Sequence, residues 1–173
     1  MSQMHVVGAF KTVQGAQLAA DRLINEGIPR EAVGVVMSDK ARQRLATVET
    51  HTKGAEGVAT GGVTGGVLGG IVAGLTTVAA VALPGVGVLA AGPIVSILAG
   101  AGAGAAAGGA LGGLVGLGMS EHEVKYYGDV LKSEGVLVTV TTADKQMQKH
   151  SRKVLDDAGA IAVQTTKGAM AQL

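Results

Sequence analysis

The chain of 173 residues contains no cysteine and no tryptophan, and only one phenylalanine, two tyrosines and three prolines. Without cysteine, disulfides, thiol catalysis and thiolate metal sites are excluded. An aromatic content of 2% removes the stacking platforms on which single-stranded nucleic acid is held. Fourteen Lys and Arg face thirteen Asp and Glu, a net charge of +1, so there is no basic footprint for a nucleic-acid partner. Met1 to Val7 lacks a basic stretch followed by an apolar one; no cleavable signal is expected, and a cytoplasmic start is. The most informative absence is internal. From 57 to 120, sixty-four consecutive residues carry no charge.

What fills that gap is glycine at a fixed spacing: Gly62, Gly66, Gly70 and Gly74, then Gly100, Gly104, Gly108, Gly112 and Gly116. Four-residue spacing puts a bare backbone stripe along one face of a helix, which is useful only where another helix lies against it. The residues predict a helix over 57–83, a turn over 84–92 around Pro84, Gly85, Gly87, Gly92 and Pro93, and a helix over 93–118. Such helices are roughly 40 Å long at about 1.5 Å per residue. Eight glycines inside the first (Gly57, Gly61, Gly62, Gly65, Gly66, Gly69, Gly70, Gly74) cost on the order of 8 kcal/mol of helix propensity. Close helix–helix packing with Cα–H···O contacts is what can offset it. The nine glycines of the two stripes are therefore the candidate self-association residues.

The two ends of the chain read differently. Val6–Phe10 is a short apolar strand. Thr12 caps a helix over 13–26 with Ala16, Ala19, Ala20, Leu23 and Ile24 at helical spacing, ended by Gly27 and Pro29, and Ala32–Met37 is a second strand. After the gap, Ser120–Glu123 fits a capping box, a helix runs to Glu134 and ends at Gly135, and Val136–Val140 alternates like a strand. Asp144 caps a helix carrying Met147, Val154, Leu155 and Ala158, Gly159 ends it, and Ile161–Val163 is the last strand. Residues 1–39 and 119–173 together predict one small α+β domain, ferredoxin-like, built from two β-α-β units. The polar, basic-leaning stretch 40–53 (Lys40, Arg42, Arg44, Lys53) is a linker or a short helix. The apolar Gly/Ala-rich helical hairpin 54–118 is inserted between the second and third strands of that domain.

Two settings suit the hairpin. Each helix exceeds the ~20 residues needed to span a bilayer, and the preceding basic residues would keep both termini on the cytoplasmic side of an inner membrane. Yet Val, Ile and Leu are sparse, and Ala99–Ala110 is only alanine and glycine; burial between other helices of a soluble assembly fits equally. The expected partner is a second copy of the chain, with the lipid bilayer as the alternative surroundings.

Val6–Phe10 (VVGAF), Leu83–Gly87 (LPGVG), Ala91–Pro93 (AGP), Gly116–Tyr127 (GLGMSEHEVKYY) and Gly135–Val140 (GVLVTV) resemble bacterial general-stress proteins, the heat- or low-temperature-induced, YflT-like family. The resemblance spans most of the chain. It implies a stress-response association and no known catalysis, and it supplies no catalytic residues.

The chemistry of sites is thin. The phosphate-loop pattern G-x-x-x-x-G-K-[ST] does not occur. Glu121, His122 and Glu123 are neighbours on a helix and point in different directions, so the capping box is the better reading than a metal. His5, His51 and His150 read as scattered surface histidines, and Tyr126 and Tyr127 as residues of an interface or a helix surface. No enzyme, cofactor or small-molecule substrate is expected. The expectation is a non-enzymatic stress-response protein that self-associates through its glycine stripes. The alternative is a small-ligand sensor whose hairpin is an anchor or output element.

Overall fold

In a computed structural model of the chain, the described residues are 3–38, 40–44, 78–83, 86–91, 114–115 and 118–167. The elements follow local chemistry closely. β1 (Met4–Phe10) leads into α1 (Val13–Asn25), whose N-cap Thr12 accepts from the Gly15 amide at 3.1 Å. That bond satisfies one of the orphan amides of the first turn. α1 buries Val13, Ala16, Ala19, Ala20 and Leu23, a stripe of mostly small residues. Its end is a Schellman closure: Gly27, at φ 92°, donates to Ile24 and Ile28 donates to Leu23. After a single 3-10 turn at Arg30–Ala32, β2 runs from Val33 to Ser38.

β3 (Val78–Leu83) and β4 (Val86–Ala91) pair antiparallel, Leu83 opposite Val86. This corrects two expectations, the helix through 83 and the turn over 84–92. Valines at 78, 81, 86 and 88 favour extended backbone. Pro84-Gly85, between them in sequence, is a dipeptide that favours a turn over a continuing helix. The free side of β2 supplies the hydrogen bonds: Val35 pairs with Ala91 and Ser38 with Val88. Part of the segment read as an all-helical insertion thus belongs to the sheet of the terminal domain. The remainder of 54–118, other than Leu114, Val115 and Gly118, lies outside the described residues. Leu114 and Val115 are helical, and Gly118 (φ 82°) and Met119 donate to Val115 and Leu114, the bonds of a helix end.

α2 (Glu121–Lys132) carries the complete capping box. Ser120 Oγ accepts from the Glu123 amide at 3.4 Å, and Glu123 Oε2 accepts from the Ser120 amide at 2.8 Å. β5 (Val136–Thr142), α3 (Lys145–Asp157, N-capped by Asp144) and β6 (Ala162–Lys167) complete the chain. The sheet is antiparallel throughout, in the order β3-β4-β2-β5-β1-β6. The fold is mixed α/β, with both ends of the chain in one sheet. β6 and β3 are its outermost strands.

Side-chain alternation splits the sheet into two faces. On the first, Val6, Phe10, Val33, Val35, Met37, Val136, Val138 and Val140 pack under α1 and α3 with Leu23, Val154 and Leu155. Gly8 makes this approach possible: a Cβ there would lie 3.2 Å from both methyls of Leu155. α2 touches β5, β1 and β2 and covers the other face, where its buried Tyr127 hydroxyl donates to the Val7 carbonyl at 3.5 Å.

α2 ends at Lys132, with Ser133 as its C-cap, two residues before the sequence reading carried it. The left-handed residue of the closure is Glu134 (φ 64°). Glu134 donates to Leu131 and Gly135 to Val130. Gly135 is needed for space instead: a Cβ would collide with Val130 Cγ1 and sit 2.7 Å from the Val130 carbonyl oxygen and 2.8 Å from that of Phe10.

Candidate functional site

The nine stripe glycines, Gly62 through Gly116, lie outside the described residues. Three described features remain: a short basic segment, a shallow cavity and a polar row on the sheet.

The basic stretch 40–53 begins as helix at 40–44, with Ser38 Oγ accepting from the Ala41 amide at 3.2 Å and Ala41 wholly buried. The short-helix alternative therefore describes its first five residues; 45–53 lie outside the described residues. Arg44 reaches Glu134 at 2.8 Å and Lys40 reaches the same carboxylate at 4.0 Å. Those cations brace the end of α2.

Beside them, a cavity of about 90 Å³ is lined by Lys11, Thr12, Val13, Gln14, Arg44 and Glu134. It lies at the N-terminus of α1, where free amides and the helix dipole favour an anion. The Glu134 carboxylate already stands there and is engaged by Arg44.

The third feature was not legible from composition. His5, read as a surface histidine, is 3% exposed. Register explains why. His5 sits on β1 opposite Thr141 of β5 and Thr166 of β6, so three polar residues share one row across three strands on the α2 face. The next row is Thr139, Val7 and Gln164; the one after is Leu137, Ala9 and Ala162. Within the first row, His5 Nδ1 lies 3.1 Å from Thr141 Oγ1. The hydroxyls of Thr139 and Thr166, both on residues more than nine-tenths buried, have no hydrogen-bond partner among the described residues. Burial disfavours the charged imidazole and holds the His5 pKa below its ordinary value. An ordinary period-2 alternation would have placed residue 5 on one face, but only the pairing of β1 between two other strands shows that this face is covered.

The remaining titratable residues resolve locally. Glu123 is held below the usual carboxylate range by the bonds from the Ser120 backbone and hydroxyl, as the capping box requires. Glu121 and His122 beside it are exposed. His150 pairs with Glu26 at 2.9 Å, tying α3 to α1; the reading as a surface residue holds for its half-exposed side chain. Tyr127 is a core residue rather than an interface one, its phenol pushed upward chiefly by burial. Tyr126, exposed, meets it edge-on with ring centroids 5.8 Å apart. Among the described residues, no three His, Asp or Glu converge as a metal site, and no helix is long and apolar enough to cross a membrane.

No family model, curated protein or solved structure matches the chain.

Proposed function

We propose that the protein is a non-enzymatic structural component of the bacterial stress response that assembles with copies of itself through its glycine stripes. The observation that carries this reading is the four-residue glycine spacing, repeated at 62–74 and 100–116 within a segment free of charge. Glycines so placed weaken an isolated helix by about 1 kcal/mol each. Against a neighbouring backbone they become the contact surface. The α+β domain supports the arrangement from outside. Its β3–β4 hairpin lies in sequence between the two stripes and is paired to β2.

On this reading the domain itself is ferredoxin-like. The strand order β2-β5-β1-β6 and the runs β1-α1-β2 and β5-α3-β6 support it. β3 and β4 are then an insertion that widens the sheet past β2. The resemblance of Gly116–Tyr127 and the runs around it to general-stress proteins supports the physiological setting.

The stripes act alike in lipid or in water, and the assembly is cytoplasmic or an inner-membrane body with both ends facing the cytoplasm. The test is the double variant Gly66→Leu/Gly108→Leu. Leucine fills the stripe, and the assembly measured by light scattering should fall to smaller species. An unchanged assembly size rejects the stripe as the interface. Alkaline carbonate extraction of cell membranes then separates the settings: retention with lipid places the assembly in the bilayer, release as regular particles or filaments places it in water.

A further inference from the structure

A buried sheet face is ordinarily apolar, yet here a polar row crosses it. Thr141, His5 and Thr166 stand side by side on β5, β1 and β6, His5 at 3% exposure and Thr166 at 8%. Among the described residues the Thr166 hydroxyl has no partner, nor has that of Thr139 one row along. A buried polar group in that condition forfeits its bonds to water without replacement, so the row weakens the structure that carries it. The strand it weakens most is β6, which lies at one edge of the sheet and has β1 as its strand partner.

We propose that this row is an acid-sensitive latch: protonation of His5 puts a cation on a buried face among threonines and releases the edge strand β6 from β1.

The surroundings of His5 carry the argument. On β5 the facing residues are Thr141 and Thr139, and on β6 Thr166 and Gln164; none of them titrates. From α2, which packs on the same face, the inward titratable group is the Tyr127 phenol, occupied by the Val7 carbonyl. Glu121, His122, Lys125, Tyr126, Asp129 and Lys132 of that helix are exposed, and the half-buried Glu123 carboxylate is held at the helix start by the Ser120 amide and hydroxyl. Among these described groups no carboxylate faces the ring, so an imidazolium finds no counter-charge. Thr141 Oγ1 can accept from it at Nδ1, which answers one N–H but not the charge.

The direction follows by linkage. Burial lowers the His5 pKa in the folded state below 6.5. As pH falls through 6.5, the opened strand takes up a proton that the closed one refuses. Opening is therefore favoured by up to about tenfold per pH unit until the lowered folded value is reached. Above pH 6.5 the effect vanishes. A carboxylate-driven opening would instead set in below about pH 4.5.

The test is hydrogen exchange by mass spectrometry on the full chain, wild type and His5→Gln, from pH 7.5 to 5, corrected for intrinsic exchange rates. The expected result is a loss of protection in 162–167 of the wild type of up to about fivefold between pH 6.5 and 5.5, with the α1 and α3 segments unchanged and no such loss in His5→Gln. Equal protection at all pH values in the wild type overturns the latch. So does the same loss in both proteins, or a loss spread evenly over the chain. Should His5→Gln not fold, the wild-type profile decides alone, since confinement to 162–167 and onset near pH 6.5 are both required.

Discussion

Gly135→Ala tests the reasoning about the junction of α2 and β5 most sharply. Gly135 is the second residue past the C-cap of α2 and immediately precedes Val136, which pairs with Phe10. A methyl group added there meets Val130 Cγ1, the Val130 carbonyl oxygen at 2.7 Å and the Phe10 carbonyl oxygen at 2.8 Å. The valine can rotate; the two oxygens are backbone, one fixed in the helix closure and the other at the end of β1. Relief requires shifting β5 against α2, which places the cost at the upper end of the about 1–3 kcal/mol seen for overpacking. Gly159→Ala is the matched control. Gly159 also follows a helix, at φ 87°, but a Cβ there has nothing within 4 Å, so its cost is the left-handed backbone alone, about 1–2 kcal/mol. At about 2–4 °C per kcal/mol for a chain of this size, about 3 kcal/mol corresponds to a fall of ~6–12 °C for Gly135→Ala. The lower-cost control at about 1 kcal/mol falls by ~2–4 °C. Thermal unfolding followed by circular dichroism, at one protein concentration because association also shifts the midpoint, reads both. A Gly135→Ala melting point equal to or above that of Gly159→Ala refutes the steric argument.

Two further changes separate local effects nearby. Glu134→Gly removes a left-handed residue at a gain of about 1 kcal/mol and loses the exposed pair with Arg44, worth about 0.2–1 kcal/mol. Its urea midpoint should match or exceed the wild type, while Arg44→Ala, which loses the pair and keeps the strain, should fall slightly below; the reverse order contradicts the assignment. Ser120→Ala removes the cap of α2 at a cost of about 1 kcal/mol and keeps the residue-120 amide on the Glu123 carboxylate, the larger cause of its lowered pKa, while removing the hydroxyl bond, so that the carboxyl rises part of the way toward its ordinary value. Because the folded state holds that carboxyl low, its contribution is present above pH 4.5 and is lost as pH falls through the lowered value. Acid unfolding of Ser120→Ala should therefore be less steep over that window, and an identical acid profile would count against the Ser120 hydroxyl as a cause of the lowered Glu123 value.

Features set by near neighbours were legible in the chain. Thr12, Ser120 with Glu123, and Asp144 cap their helices through bonds to amides two or three residues on, so spacing alone identifies them. Gly27 and Gly159 close helices for the same reason. Features set by distant partners were not. Gly135 marks the end of α2 in the sequence, but what demands a glycine there is the space claimed by Phe10, 125 positions away, while Glu134 takes the left-handed turn. The Val/Ala run at 78–83 has neither a helical nor an alternating period of its own. Its pairing with β4, and that of β4 with β2, shows it as a strand. His5 and Tyr127 have polar groups that composition assigns to the surface, and only the register and packing of β1 show them buried. The glycine stripes are the reverse case: their spacing is plain in the sequence and lies outside the described residues.

The measurement closest to the central claim is the molar mass of the purified full chain in solution, by light scattering coupled to size-exclusion chromatography and across a tenfold range of concentration. Assembly through the glycine stripes predicts a mass several times the 17.0 kDa of one chain, held upon dilution. A mass of one chain throughout that range contradicts it.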